Sequence, residues 1–331
     1  GKTLEAVKAL FGESAELDED HVKTLFSVGK IMKNSSSVSV LLGRASLAET
    51  SAIIENSAIK LQELLPEATF LPLLRRGNVN GAIDMGLSPG LLPGRCNLEE
   101  ASEGLKNSWP TYPASKGMNT REILEAAVDG KIDVLVLLAS DPLKDFPDFK
   151  LAKEALDRIK TVVAVDLFLT ESVLQSDIVL PAATTTEIDG TFTNLESRIS
   201  PIMRSVTPPG TARPDWMIAL DLISYLSPKL GPSTFKDLCE EVSSVSEIHR
   251  DLDLMNAREI DKEGIVIQGA TQQAETTSLK IPKQNKNTFR LVATRRMYDE
   301  GVLTGHSSAL KGLASGSQIR VNPSDMNKLG I

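Results

Sequence analysis

Cysteine and histidine are scarce: Cys96 and Cys239, with His21, His249 and His306, are all that 331 residues contain. Two thiols so far apart exclude a disulfide framework and favour a cytosolic setting. They also exclude an iron–sulfur cluster held by these residues alone, because each cluster draws on several Cys ligands. None of the histidines has a Cys, His or carboxylate partner at ligand spacing, so no metal site is expected. Aromatic residues make up 4%, which leaves core packing to Leu, Ile, Val and Ala, the usual material of layered α/β proteins. Basic residues are outnumbered, 36 Lys and Arg against 44 Asp and Glu, for a net charge of -8. Such a balance excludes the usual nucleic-acid partner, whose phosphates call for clustered Lys and Arg. No apolar run approaches the ~20 residues of a membrane-spanning helix, so direct membrane insertion is not expected. Neither G-x-G-x-x-G nor G-x-x-x-x-G-K-[ST] occurs, which removes the commonest phosphate cradles.

What is present centres on residues 131–200. Val134 to Leu138 is an unbroken apolar run, expected as a strand covered on both faces in a parallel sheet. Ser140-Asp141-Pro142 stops it, and Phe149 to Ile159 sets Leu151, Ala152, Ala155, Leu156 and Ile159 on one helical face. Thr161 to Val165 is a second strand, Thr170 to Gln175 a short helix, and Ile178 to Leu180 a third strand. This order predicts the α/β class with doubly wound, mostly parallel sheets. Ligands in such sheets sit outside the carboxyl ends of the strands, so the loops starting at Ala139, Asp166 and Ala182 are the place for a site. Ser140, Asp141 and Asp166 are the polar candidates there. Asp141, Asp145 and Asp148 against the single Lys144 would repel a pyrophosphate unless a cation offset them; solvated acidic turns are the plainer reading.

Four regions are expected along the chain: a first α/β unit over 1–105, a second over 119–227, a helical and loop connector over 228–282, and a partial β-barrel over 283–331. In the first, two helices over 1–33 precede a strand at Val38 to Leu42. Ser46 and Glu49 read as a capping box for a helix to Leu65, and Ala68 to Leu74 as a further strand. Arg75 and Arg76 beside Gly77 to Gly81 suit an anion or a neighbouring subunit's carboxylate. Glu99 to Ser115 reads as an exposed connector anchored by Trp109, and Thr120 as the cap of a helix ending at Gly130. Glu187, Asn194 and Arg198 gather polar groups where a loop re-enters the fold, as site residues or as a network satisfying that loop. Pro214 opens a helix to Tyr225 carrying Trp216, Leu220 and Ile223, and Ser233 opens another with Phe235, Leu238, Cys239 and Val242. Phe289 to Ala293 and Gln318 to Val321 read as barrel strands.

Four segments lie in an order that resembles the molybdopterin oxidoreductase superfamily. They are G-N-V-N-G-A-I-D-M-G-L-S-P-G from Gly77, S-D-I-V-L-P-A-A-T then E-I-D-G-T-F-T-N-L-E-S-R from Ser176 to Arg198, P-P-G-T-A-R-P-D-W from Pro208, and the tail R-V-N-P-S-D-M-N-K-L-G-I. Within the superfamily, L-R-R-G-N-V-N-G-A-I-D-M-G, N-L-E-S-R and A-S-D-P resemble the G-subunit family of NADH-quinone oxidoreductases, in respiratory complex I. Formate-dehydrogenase-like catalytic subunits are the alternative. The resemblance implies a cleft formed by Ser140, Asp141, Asp166, Glu187, Asn194 and Arg198, either a relic or a pterin site. It further implies a scaffold role without its own catalytic residues, and Fe-S clusters in a part N-terminal to this sequence, with molybdopterin only under the alternative. Partners are then the other peripheral-arm subunits, at the cytoplasmic, inner face of the plasma membrane. Gly1 in place of Met, and a family pattern that runs on past Ile331, lead to the expectation of a piece of a longer polypeptide.

Overall fold

The computed structural model describes residues 19–226 apart from 45, 49 and 110, then 232, 234–250, 252, 264–267, 278, 289–294, 298, 301–314 and 316–330. The helix expected before residue 18 lies outside them. The chain folds as two compact units, one from residues 1–70 with 274–331, the other from 71–273.

In the first unit, α1 (Glu19–Asn34) is followed by β1 (Ser39–Leu42), α2 (Ala52–Leu64) and β2 (Thr69–Pro72), and the two strands pair. Ser46 does not cap a helix. Its hydroxyl accepts from Ala48 N at 3.2 Å and from Ala293 N at 3.2 Å, so α2 starts six residues later than Ser46, at Ala52.

The second unit begins with α3 (Val79–Asp84) and the small hairpin of β3 (Leu91–Leu92) and β4 (Cys96–Asn97), which leads through a 3₁₀ turn into α4 (Glu103–Ser108). The expected exposed connector is therefore structured, and Leu105 is fully buried in it. Trp109 does anchor this stretch: it packs beside Leu105 and Val245, and its indole N–H donates to Glu241 Oε1 at 2.6 Å.

Next come α5 (Thr120–Val128), β5 (Val134–Leu138), α6 (Pro142–Asp145), α7 (Phe149–Arg158), β6 (Thr161–Asp166), α8 (Glu171–Leu174) and β7 (Ile178–Pro181). Asn119, not Thr120, caps α5, in a reciprocal box with Glu122. Along α7, Ala152, Ala155 and Leu156 are buried at helical spacing, while Glu154 and Arg158 pair on the outer face at 2.7 Å. The strands form one parallel sheet in the order β5-β6-β7, with Leu137 opposite Ala164 and Val165 opposite Leu180. Leu124, Leu137, Leu156, Val162, Ala164 and Val173 make the core between this sheet and its helices.

Coverage on both faces is not what β5 shows. Leu137 is buried, but Val134, Val136 and Leu138 on the opposite face are 56%, 53% and 53% exposed. An unbroken apolar run lacks the alternation that marks a half-covered strand, and here the strand is half-covered all the same.

The unit continues through β8 (Gly190–Thr193), β9 (Arg198–Ile202), α9 (Asp215–Leu226), α10 (Phe235–Val245) and β10 (Ile265–Val266). β8, β9 and β10 form an antiparallel sheet in the order β10-β9-β8. Thr234 and Asp237 cap α10 reciprocally, and the Trp216 and Phe235 rings meet at 5.3 Å. Residues 71–105 belong to this unit, which moves the first boundary from the expected 105 to 70. The reason lies in long-range bonds: Ser102 Oγ donates to Val245 O at 2.8 Å, and Asn80 Nδ2 to Asn194 O at 2.7 Å.

The C-terminal residues return to the first unit with α11 (Val302–His306) and α12 (Pro323–Leu329). The strands expected at Phe289 to Ala293 and Gln318 to Val321 are not formed among the described residues. Residues 291–293 run against Ser46 and Leu47 instead, with Leu47 N donating to Ala293 O at 2.8 Å. Asn322 and Pro323 turn the tail into a helix that Gly330, at φ 73°, ends in the left-handed region.

Candidate functional site

The carboxyl ends of β5, β6 and β7 carry three of the expected residues and one found only in the structure. Ser140 is exposed, just after Ala139, whose φ of 46° is left-handed. Asp141 turns away from solvent and is 3% exposed. Its Oδ1 accepts from Ser172 Oγ at 2.5 Å and from Ser172 N at 3.3 Å, while the same hydroxyl accepts from Leu143 N at 3.1 Å. This carboxylate therefore ties the start of α6 to α8. Asp148 caps α7 by accepting from Leu151 N at 3.2 Å. Asp141 and Asp148 thus have separate structural roles, while Asp145 is exposed, as solvated acidic turns would leave it.

Asp166 closes β6 by accepting from Leu167 N at 2.6 Å and Phe168 N at 3.2 Å. Nearby Asp215, in the first turn of α9, has its carboxyl pKa raised, first by partial loss of solvent and then by the charge of Asp166. The residue keeps more than a third of its surface in water, so the effect on stability is small. Asp215 was not among the residues expected from the sequence; the R-P-D-W run, with Pro at a helix start, was its only signal.

Glu187 Oε2 accepts from Thr184 N at 3.0 Å, closing its own turn. Asn194 and Arg198 do come together. Asn194 Oδ1 accepts from Glu196 N at 2.9 Å and Arg198 N at 3.0 Å, and Arg198 Nη1 donates to Gly264 O at 3.0 Å. The loop is also held from α3, since Thr193 N donates to Asn78 Oδ1 at 2.9 Å and Asn80 holds the Asn194 carbonyl. Asn78 and Asn80 were legible only as part of a Gly-rich run.

A cavity of about 510 Å³ lies at the end of β7, lined by Leu180, Pro181, Gly210, Thr211, Ala212, Arg213 and Ile218. None of the six expected residues lines it. Its wall is the P-P-G-T-A-R segment, which extends the sheet: Arg213 N donates to Pro181 O at 3.1 Å and Ala183 N to Arg213 O at 2.9 Å. The Arg213 guanidinium is paired with Asp221. Arg75 and Arg76 are exposed. Among the described residues no group of three or more His, Cys, Asp or Glu is placed to hold a metal ion, and no helix is long and apolar enough to cross a membrane.

Comparisons with known proteins give three relevant likenesses. The α subunit of F420-dependent formate dehydrogenase 2 from Methanococcus maripaludis is 36% identical over 178 residues, 53% of this chain and 26% of that protein. The G 2 subunit of NADH-quinone oxidoreductase from Rhizobium meliloti is 28% identical over 309 residues, 89% of this chain and 35% of that protein. Acetylene hydratase from Pelobacter acetylenicus, a solved structure, shares 20% identity at a TM-score of 0.32 over 51% of this chain and 23% of its own. The chain spans about a quarter to a third of the curated relatives it matches. The family described as Molybdopterin oxidoreductase matches residues 12–225, reaching upstream of the segments that suggested it and stopping short of the tail. With more than half of its length so matched, the chain belongs to the molybdopterin oxidoreductase family.

Proposed function

We propose that this chain is a scaffold portion of an oxidoreductase subunit of the NADH-quinone oxidoreductase G type. In this reading it supports electron transfer from NADH to quinone through iron–sulfur clusters held outside these residues, and has no active site of its own. The observation that carries it is the commitment of the polar groups at the expected cleft. Asp166, Glu187 and Asn194 each accept hydrogen bonds from backbone of their own loop, Asp141 accepts from Ser172 N in α8, and Arg198 donates to Gly264 O. A carboxylate or amide so satisfied stabilises a turn and offers little to a ligand.

Those residues do not fit a pterin dinucleotide. Asp141 faces the protein interior, and the one cation on the wall of the cavity beside β7, Arg213, is paired with Asp221. The NADH-quinone oxidoreductase relative aligns along 89% of the chain, which is compatible with this reading. The uncovered apolar face of the central sheet suits a chain that works packed within a larger polypeptide or assembly. The partners would be other peripheral-arm subunits, at the cytoplasmic face of the membrane that holds the complex.

The alternative, a molybdopterin-dependent catalytic subunit such as a formate dehydrogenase, draws on the higher identity, 36%, of the formate dehydrogenase relative. Metal analysis of the polypeptide carrying this sequence, isolated from its host, separates the two. The scaffold reading expects iron without molybdenum. About one molybdenum per chain would establish the alternative.

A further inference from the structure

Outside the cleft, the second unit buries a group of ionisable side chains for which the scaffold role has no use. His249 ends the 3₁₀ turn Glu247–His249 after α10 and is 2% exposed. Its Nδ1 shares a hydrogen bond of 2.7 Å with Ser246 Oγ, and Ser246 is fully buried. Asp84, at the end of α3, is also fully buried and pairs through Oδ1 with Arg95 Nε, while its Oδ2 takes no hydrogen bond among the described residues. Arg95 reaches this position from the β3–β4 turn with φ 58°, after Gly94 at φ 86°. Gly94 N donates to Asp84 O at 2.7 Å, and a Cβ on Gly94 would lie 3.1 Å from Ser246 Oγ. The end of α3 and the β3–β4 turn therefore meet the distant Ser246–His249 segment around one imidazole, one carboxylate and one guanidinium.

We propose that this corner is a proton-operated clasp: charging His249 undoes the packing of the α10 end against the β3–β4 turn, and α3 carries the change to the loop at Thr193 and Asn194. Among the described residues, the neutral ring leaves the site with one part-buried cation, Arg95, and one buried anion, Asp84. A second cation would share the single carboxylate of Asp84 with Arg95 and would have to be withdrawn from water, which is costly without a partner of its own. Burial lowers the His249 pKa first; Asp84 works against that and Arg95 with it. Among the described residues, the other charged groups of these segments have partners: Glu247 pairs with Arg250 at 3.4 Å, Glu241 accepts from Trp109, and Glu100 accepts from Asn97 at 3.3 Å. Because the folded value lies below the ordinary imidazole value of 6.5, the clasp is fully held above that value. It is lost as pH falls from there through the lower folded value.

The lever is α3, six residues long, whose two ends are both fastened. Asn78 and Asn80 bond to Thr193 and Asn194 at one end, and Asp84 sits in the clasp at the other. Displacing the Asp84 end of so short a helix moves the loop that the Asn end holds.

The test follows three signals on the whole chain between pH 8 and 5: the His249 ring protons, the Thr193 amide, and Trp109 emission in a Trp216→Phe background. The expected result is one shared acid transition below pH 6.5, absent from both reporters in His249→Gln. Asn80→Ala should keep the Trp109 change and lose most of the Thr193 shift. An ordinary or raised His249 titration, or an unchanged transition in His249→Gln, would overturn the clasp; a full Thr193 shift in Asn80→Ala would overturn the lever. Should a variant fail to fold, the wild-type His249 ring titration and Thr193 amide curve decide: coincidence below 6.5 supports the clasp and non-coincidence rejects it.

Discussion

Ser172→Ala is the sharpest probe of whether Asp141 belongs to the architecture. The hydroxyl is fully buried, donates to Asp141 Oδ1 at 2.5 Å and accepts from Leu143 N at 3.1 Å. Removing it takes away a hydrogen bond to a carboxylate, about 1.5–3 kcal/mol, and leaves the Leu143 N–H orphaned, a further ~1–3 kcal/mol. Ser172 N still donates to Asp141 at 3.3 Å, which keeps the total near the low end, about 3 kcal/mol. Ser140→Ala, at an exposed position one residue before Asp141, should stay within about 0.5 kcal/mol. Urea denaturation followed by circular dichroism measures both, provided the slope of the transition is unchanged so that the midpoint shift reports stability. If Asp141 were directed at a ligand, the order would change: Ser172→Ala would be mild in the ligand-free chain. A loss below about 1 kcal/mol for Ser172→Ala would therefore refute the structural assignment of Asp141.

Other substitutions test neighbouring parts of the argument. Leu105→Ala should cost about 2–5 kcal/mol, because the fully buried side chain is the centre of the small core joining α4 to α10; Trp109 fluorescence during chemical denaturation reports it. Gly104→Ala should disrupt the same joint, since its Cβ would overlap the Ser244 carbonyl oxygen, and overpacking against backbone costs about 1–3 kcal/mol. Asn119→Ala should lose about 1 kcal/mol through the α5 cap, with Thr120→Ala close to neutral, reversing the ranking expected from the sequence. Asp215 has a raised folded pKa, so its charge opposes folding slightly above that value and the effect fades as the carboxyl protonates towards its unfolded value. Asp215→Asn should therefore be neutral or slightly stabilising at pH 7 relative to pH 4, as paired urea titrations would show.

The parallel sheet was legible because each strand and helix declares itself locally. β5 and β6 are short runs of Val, Leu and Ala, and the α7 stripe of Ala152, Ala155 and Leu156 repeats at helical spacing. What escaped depends on partners far along the chain. Asp141 reads as an exposed loop carboxylate until Ser172, 31 residues on, comes to lie beside it. Ser46 fits a capping pattern perfectly well by itself, yet it bonds to Leu291 O across 245 residues. The uncovered face of β5 was hidden for another reason. Five consecutive apolar residues carry no record of which face meets solvent, and the run only limits the choices to a strand or a buried helix segment.

The same contrast bears on how the family segments should be interpreted. G-N-V-N-G at Gly77 to Gly81 and G-T-F-T-N at Gly190 to Asn194 are separate landmarks in the sequence, but in the fold they are two sides of one joint. Asn78 takes the Thr193 N–H, Asn80 takes the Asn194 carbonyl, and the Asn194 side chain in turn closes the loop towards Arg198. Buried backbone polar groups need partners whether or not anything binds beside them. Residues that supply those partners are required by the fold itself, so their presence cannot by itself decide between a pterin enzyme and a scaffold. The decision rests on groups that the fold leaves uncommitted and aimed at solvent from the strand ends. Of the six expected there, Ser140 alone is exposed with no side-chain hydrogen bond among the described residues, so a variant at that hydroxyl probes a ligand without disturbing the joint.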